Sequence, residues 1–232
     1  MAVRSLACAL LLLPFAAAAQ PAEPSCPPRG TPALRVTIQD PEPRILSRIP
    51  AAALRNQAGA EALAHLHHLG LTLSRVEWRS EITARSGGAP GGPVCAVPAE
   101  LRLSLVHAEH SIRLAREIPR GGCLEREVLA HERRHAEVNR RTLREAAEAM
   151  RGVARDWAAT AEARAADPRA AAAALQDGLA AAVEPVLARL RAAREAGHAA
   201  IDTEEEYARL GRVCRADQRR LRAALPRHDH AD

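Results

Sequence analysis

Two kinds of hydrophobic repeat divide the chain. Up to residue 122 the apolar positions alternate with polar ones. Residues 34–38 and 71–83 (the latter carrying Trp78) read as strands, as do 94–97, 101–106 and 111–115. The Gly- and Pro-rich segment 86–93 reads as a turn. Residues 51–69 are rich in Ala and Leu and stop at Gly70, which predicts a helix inserted among the strands. A twisted antiparallel sheet of three to five strands is expected. From residue 124 the period becomes helical. Leu124, Val128, His131, His135, Val138 and Thr142 recur at intervals of four and three, and Leu143, Ala147, Met150, Ala154 and Trp157 extend the stripe past residue 155. Asp167-Pro168 starts a second helix, with Asp as cap and Pro as first helical residue. Its stripe runs from Leu175 to Ile201, with a kink expected at Pro185. A third helix begins near Asp202-Thr203, with Tyr207, Leu210, Cys214, Leu221 and Leu225 facing inward. The fold class is therefore α+β: a small antiparallel sheet, a long helix, then two further helices. The domain spans 34–226, mostly β over 34–122 and helical over 123–226, with a polar tail at 227–232.

The long predicted helix contains His131-Glu132-Arg133-Arg134-His135, an H-E-x-x-H sequence. Residues four apart on a helix differ by about 40° around its axis. Both imidazoles thus leave one face, one turn apart, where a single Zn²⁺ can take both, and Glu132 beside them can act as general base toward water. One histidine on an apolar stripe is ordinarily a hydrogen-bonded core residue. Two on one stripe, with a glutamate adjacent, are harder to explain by packing.

A tetrahedral catalytic zinc needs a third protein ligand. A histidine six residues after His135 would be one source, but that position is Arg141. The richest later segment is 198–207, where Glu206 is the favoured ligand over Asp202, His198 and Glu205. The same acidic run fits capping boxes, Thr203-x-x-Glu206 and Asp202-x-x-Glu205, without any metal. Asp202 can alternatively orient a ligating histidine. Tyr207 can stabilise an oxyanion or pack in the core. His65, His67 and His68 fit a solvated last helical turn better than a metal site.

Composition changes this picture in three ways. Residues 1–19 carry Arg4, a short apolar run and Ala17-Ala18-Ala19, the pattern of a secretory signal peptide; 20–33 is a Pro-rich linker, and no later stretch is expected to span a membrane. Export to a periplasmic or extracellular space makes Cys26, Cys95, Cys123 and Cys214 a set of two disulfides with three possible pairings. The net charge is +5 and all 33 basic residues are Arg, but they alternate with Glu along helical stretches, and aromatics are 2% of the chain. That is a solvated helical surface, not a nucleic-acid groove.

Residues 95–135 resemble a bacterial family described as predicted secreted zinc-dependent proteases. The resemblance lies in Cys95-Ala96-Val97, the alternating strand 101–106 and the helix Leu129-Ala130-His131-Glu132-x-x-His135. It extends weakly to Ile201-Asp202, where members carry a Tyr-Asp-x-x-Thr-x-His-Gly-like stretch and this chain has Tyr207 at the histidine position. The resemblance implies a zincin-like domain with Zn²⁺ as cofactor and a protein or peptide as substrate. The competing expectations are a zinc-stabilised, non-catalytic envelope protein acting as an interaction module, and a helical module whose H-E-x-x-H is accidental.

Overall fold

A computed structural model of the chain describes residues 23–58 and 68–225. The expected signal peptide, most of the His65–His68 group and the polar tail lie outside these residues. Among the described residues the architecture is α+β: a five-stranded sheet with five helices.

Strand β4 (Val94–Ala115) organises the sheet. It takes in three segments that read as separate strands in the sequence, because Pro98 and the irregularity near Ala108 interrupt the alternation without ending the strand. On one side β3 (Gly70–Gly88) pairs with it antiparallel along its whole length. On the other side β1 (Ala33–Gln39) and β2 (Arg44–Ile49) pair with it in parallel, and β5 (Ala163–Ala165) antiparallel. The expected all-antiparallel sheet is therefore mixed. β1 and β2 lie end to end along β4, and Pro41 and Pro43 separate them, since neither ring can donate to a ladder. The gap falls opposite residues 107–110 of β4, where the register with β3 also shifts. This bulge moves the inward face from Leu101, Leu103 and Leu105 to His110, Ile112 and Leu114, so His107 and His110 both point inward.

Helix α1 (Ala51–Ala58) matches the start of the expected first helix. Helix α2 (Cys123–Thr160) is the long H-E-x-x-H helix, 38 residues. Helix α3 (Pro168–Ala199) opens as expected, with Asp167 Oδ1 accepting from Ala170 N at 2.9 Å. By length and composition α3 could cross a membrane, contrary to expectation, but its Leu175, Leu179, Val183, Val186 and Leu190 are buried in the domain core. The expected third helix is two, α4 (Glu204–Arg212) and α5 (Arg215–Ala224). Cys214 between them adopts the left-handed conformation (φ 59°) and ends the helical run.

The four cysteines among the described residues pair as Cys26–Cys95 and Cys123–Cys214. The second bridge ties the first residue of α2 to the α4–α5 junction. The same junction caps α2: Gly122 has no side chain to offer, and Asp217 Oδ2 of α5 accepts from Leu124 N at 3.1 Å. A Cβ on Gly122 would lie 2.6 Å from that oxygen, so the glycine admits the foreign cap. Helix α4 is thereby held against α2.

Along both α2 and β4 the core changes character. One apolar cluster joins Leu101, Leu103 and Leu105 to Leu143, Met150 and α3; a second joins Ile112 and Leu114 to Leu124, Val128 and Leu221. Buried polar residues separate the two: His107 and His110 on β4, and His131, Glu132, His135, Asn139 and Thr142 on α2.

Candidate metal centre

His131 and His135 are buried at 5% and 7% exposure, as their place on the apolar stripe implies. Their Nε2 atoms are 3.2 Å apart, and Asp202 Oδ1 lies 3.2 Å from each. Asp202 comes from the turn between α3 and α4 that α4 brings over α2. The three atoms form a nearly equilateral triangle. Donors around a tetrahedral ion with bonds of 2.0–2.1 Å are separated by about 3.3 Å. Two imidazole nitrogens and one carboxylate oxygen therefore have the spacing and chemistry of three metal ligands.

Glu206, favoured from the sequence, is placed elsewhere. Thr203 caps α4 by accepting from Glu206 N at 3.2 Å, so half of the capping box forms. The Glu206 carboxylate turns away from Thr203 to the far nitrogen of His131, with Oε1 3.3 Å from Nδ1. Arg134 and Arg209 both donate to it, and the Arg209 guanidinium leads in holding its carboxyl down at about 2. Asp202, one turn nearer α3, reaches the Nε2 side instead. Glu205 is exposed and joins neither group.

His198 also faces a far nitrogen. Its Nδ1 is 2.8 Å from His135 Nδ1, and its Nε2 is 3.2 Å from Asn139 Oδ1. Asn139 offers an oxygen, so His198 Nε2–H donates to it and leaves Nδ1 to accept from His135 Nδ1–H. That tautomer frees the His135 Nε2 lone pair. Burial, with the neighbouring His135, lowers His198 to about 4 and keeps it neutral. Burial also opposes charge on His131, but Asp202, Glu132 and Glu206 outweigh it and raise its pKa. Against burial, Asp202 is held well below the usual carboxylate range by the two imidazoles beside its Oδ1 and by Tyr207, whose hydroxyl donates to that oxygen at 2.8 Å.

Glu132 is 5% exposed. Thr72 Oγ1 of β3 donates to its Oε2 at 2.7 Å. Burial raises its pKa, while Thr72 and the two histidines restrain the rise. Gly70 leaves the room the carboxylate needs: a Cβ there would stand 2.4 Å from Glu132 Oε1. Gly70 and Thr72 carry no sequence signal for the site, since a strand start beside a helix is set by tertiary packing. Gly70→Ala is expected to push the Glu132 carboxylate off Thr72, cutting any Glu132-dependent turnover by at least about tenfold while metal content, measured by elemental analysis, stays at the wild-type value.

A second group, Asp40, His107 and His110, also has metal-like spacing. Asp40 and His107 are already engaged, while His110 donates Nδ1–H to the Pro41 carbonyl (3.2 Å) and its buried Nε2 has no hydrogen-bond partner. His107 Nδ1–H donates to Asp40 Oδ1 (2.9 Å), Arg194 Nη2 donates to His107 Nε2 (2.9 Å), and Arg140 Nε donates to Asp40 Oδ2 (3.1 Å). Two guanidiniums stand where a cation would. Arg194 also donates to the Asn139 carbonyl (3.0 Å) and Thr142 Oγ1 (3.2 Å), which makes this group the support beneath the Asn139–His198 pair.

The chain matches no known family model, no curated protein and no solved structure.

Proposed function

We propose that the protein is an exported zinc metallopeptidase of zincin-like construction, with His131, His135 and Asp202 as the metal ligands and Glu132 as general base. The observation that carries this reading is the 3.2 Å triangle of His131 Nε2, His135 Nε2 and Asp202 Oδ1, beside a buried glutamate. Two nitrogens and one oxygen would leave a tetrahedral zinc one position for water, the donor set of a catalytic site. When bound, the metal supplies Lewis acidity to a carbonyl and to water. The protein's own groups do the rest. Glu132 takes a proton from the attacking water and delivers it to the departing nitrogen. Thr72 fixes the carboxylate for both transfers. Glu206 Oε1 and Arg134 Nη2 both meet His131 Nδ1, and His198 accepts from His135 Nδ1–H, so both ring orientations are set from outside the triangle. Tyr207 holds Asp202. The two disulfides and the N-terminal sequence favour an oxidising compartment as the site of action.

The reading is tested by metal titration of the purified full-length chain. One equivalent of zinc is expected to bind, to be removed by a chelator together with any peptide hydrolysis, and to restore hydrolysis on return. Failure to bind stoichiometric zinc overturns it. Four protein ligands and no open position, seen by X-ray absorption, would instead favour the non-catalytic interaction module.

A further inference from the structure

His131 and His135 stand on α2, and most of the side chains that meet them come from residues 198–206. The end of α3 ties the Asp202 backbone, whose N–H donates to the His198 carbonyl at 3.0 Å. Beyond it, α4 carries Glu206 and Tyr207, and no residue of α4 is fully buried. A helix of nine residues without a buried face is too short to persist by itself in water. Its place is set from its far end. There Cys214 is bonded to Cys123, and just beyond it Asp217 and Leu221 of α5 bury against the start of α2.

Bridge and centre lie at opposite ends of one ladder between the two helices. His131 is eight residues beyond Cys123 on α2, and Glu206 is eight residues before Cys214 on α4. Each arm is about 12 Å of helix. With arms of equal length, a closed bridge brings Glu206 level with His131. The rung between them is Arg209, whose Nη1 donates to Glu127 Oε2 at 2.7 Å, four residues along α2 from Cys123. That rung joins two well-exposed side chains and holds little by itself. The covalent bond is the strong tie. Cys123 and Cys214 are both half-buried, whereas Cys95 of the other bridge is fully buried, so Cys123–Cys214 is the more open of the two to a reductant.

We propose that Cys123–Cys214 is a redox latch for the metal centre. Closed, it holds α4 so that Glu206 braces His131; open, it releases α4 and zinc affinity falls. The latch rests on the metal reading and adds its regulation. Opening it takes two electrons. A dithiol reductant gives one hydrogen to each cysteine sulfur as the S–S bond breaks, and is left as a disulfide. Closing is the reverse, with a disulfide-bearing oxidant taking both hydrogens. A chain still reduced before export thus has an incomplete centre, and oxidation completes it.

The test is the zinc dissociation constant of the full chain, read by chelator competition. Both cysteines are replaced by alanine, because free thiols would bind zinc themselves. Cys123→Ala/Cys214→Ala is expected to weaken zinc binding roughly 10–100-fold, the range for loss of a ligating histidine's partner. Cys26→Ala/Cys95→Ala is expected to change it by less than about twofold, being remote from the ladder. Adding Glu206→Gln to the open latch should change little further, since Glu206 has already left His131 and effects through one contact do not add. Unchanged affinity in Cys123→Ala/Cys214→Ala, or a full further loss from Glu206→Gln, overturns the latch and leaves the metal reading standing. No zinc binding by the wild-type chain overturns both. Amide hydrogen exchange on the metal-free protein separates a latch from a general staple. On dithiol reduction of the wild type, and in Cys123→Ala/Cys214→Ala, residues 204–212 are expected to lose protection while α2 keeps its own. Unchanged protection of 204–212, or loss in α2 as well, overturns the latch.

Discussion

Glu132→Gln is expected to keep one equivalent of zinc and lose roughly 10²–10⁴-fold in peptide hydrolysis, the range for removal of a general base. The substitution is nearly isosteric. Thr72 Oγ1, 2.7 Å from Oε2, can donate to an amide oxygen as it does to a carboxylate, so the side chain has no reason to move. Glu132 lies outside the triangle of His131, His135 and Asp202, so donor number is unchanged. Burial gives the substitution a further benefit: a neutral amide in a site 5% exposed needs less compensation than a charge. The variant should therefore be at least as heat-stable as the wild type. The measurement is kcat on a cleaved peptide alongside metal content and Tm. Wild-type kcat in a zinc-replete variant would remove Glu132 from the mechanism. Loss of zinc together with activity would make Glu132 a ligand and the triangle incomplete.

The α2 stripe was legible because burial of one face over 38 residues forces a 3.6-residue period, and the histidines sit on it. The Asp167-Pro168 start was legible because capping is local chemistry. Strand direction was not. Alternation in 34–38 and 101–106 reveals a half-buried strand and says nothing of its partner, and here β1 runs parallel to β4. The split between α4 and α5 was hidden because it depends on Cys214 in a left-handed conformation, joined to a cysteine 91 residues away. That Asp202 and not Glu206 stands on the Nε2 side of the histidines was hidden for a related reason. Asp202 and Glu206 both carry carboxylates toward α2 from one short segment, and the two far nitrogens of the histidines demand partners as much as the two near ones do. Residue type alone cannot say which carboxylate meets which nitrogen.

That ambiguity defines the second large effect. Asp202→Ala is expected to weaken zinc binding by more than about hundredfold, and Glu206→Gln and His198→Ala by roughly 10–100-fold each, the range for partners of a ligating histidine. Asp202 Oδ1 is one of three donor atoms, so its loss leaves two imidazoles and no anionic ligand. Its removal also frees the Tyr207 hydroxyl. Glu206 acts through His131 Nδ1, which Arg134 Nη2 also reaches at 3.0 Å, and a glutamine amide in its place can still partner that nitrogen, although Arg134 and Arg209 lose their carboxylate. His198→Ala removes the acceptor from His135 Nδ1–H, and Asn139 loses its donor. The discriminating measurement is the zinc dissociation constant from chelator competition, with Tm of the metal-free proteins recorded in parallel. Glu206→Gln breaks two exposed-edge ion pairs and should lower that Tm slightly, by the modest amount such pairs are worth. If Glu206→Gln instead proves the most damaging to zinc affinity and Asp202→Ala binds zinc normally, then His131 presents its other nitrogen to the metal and the centre is built on Glu206. In that arrangement Asp202 would become the outer partner. The two outcomes also differ for His198, because only a metal on the Nε2 side of His135 leaves the His198–Asn139 pair on the opposite nitrogen, where its loss is felt as a weakened ligand.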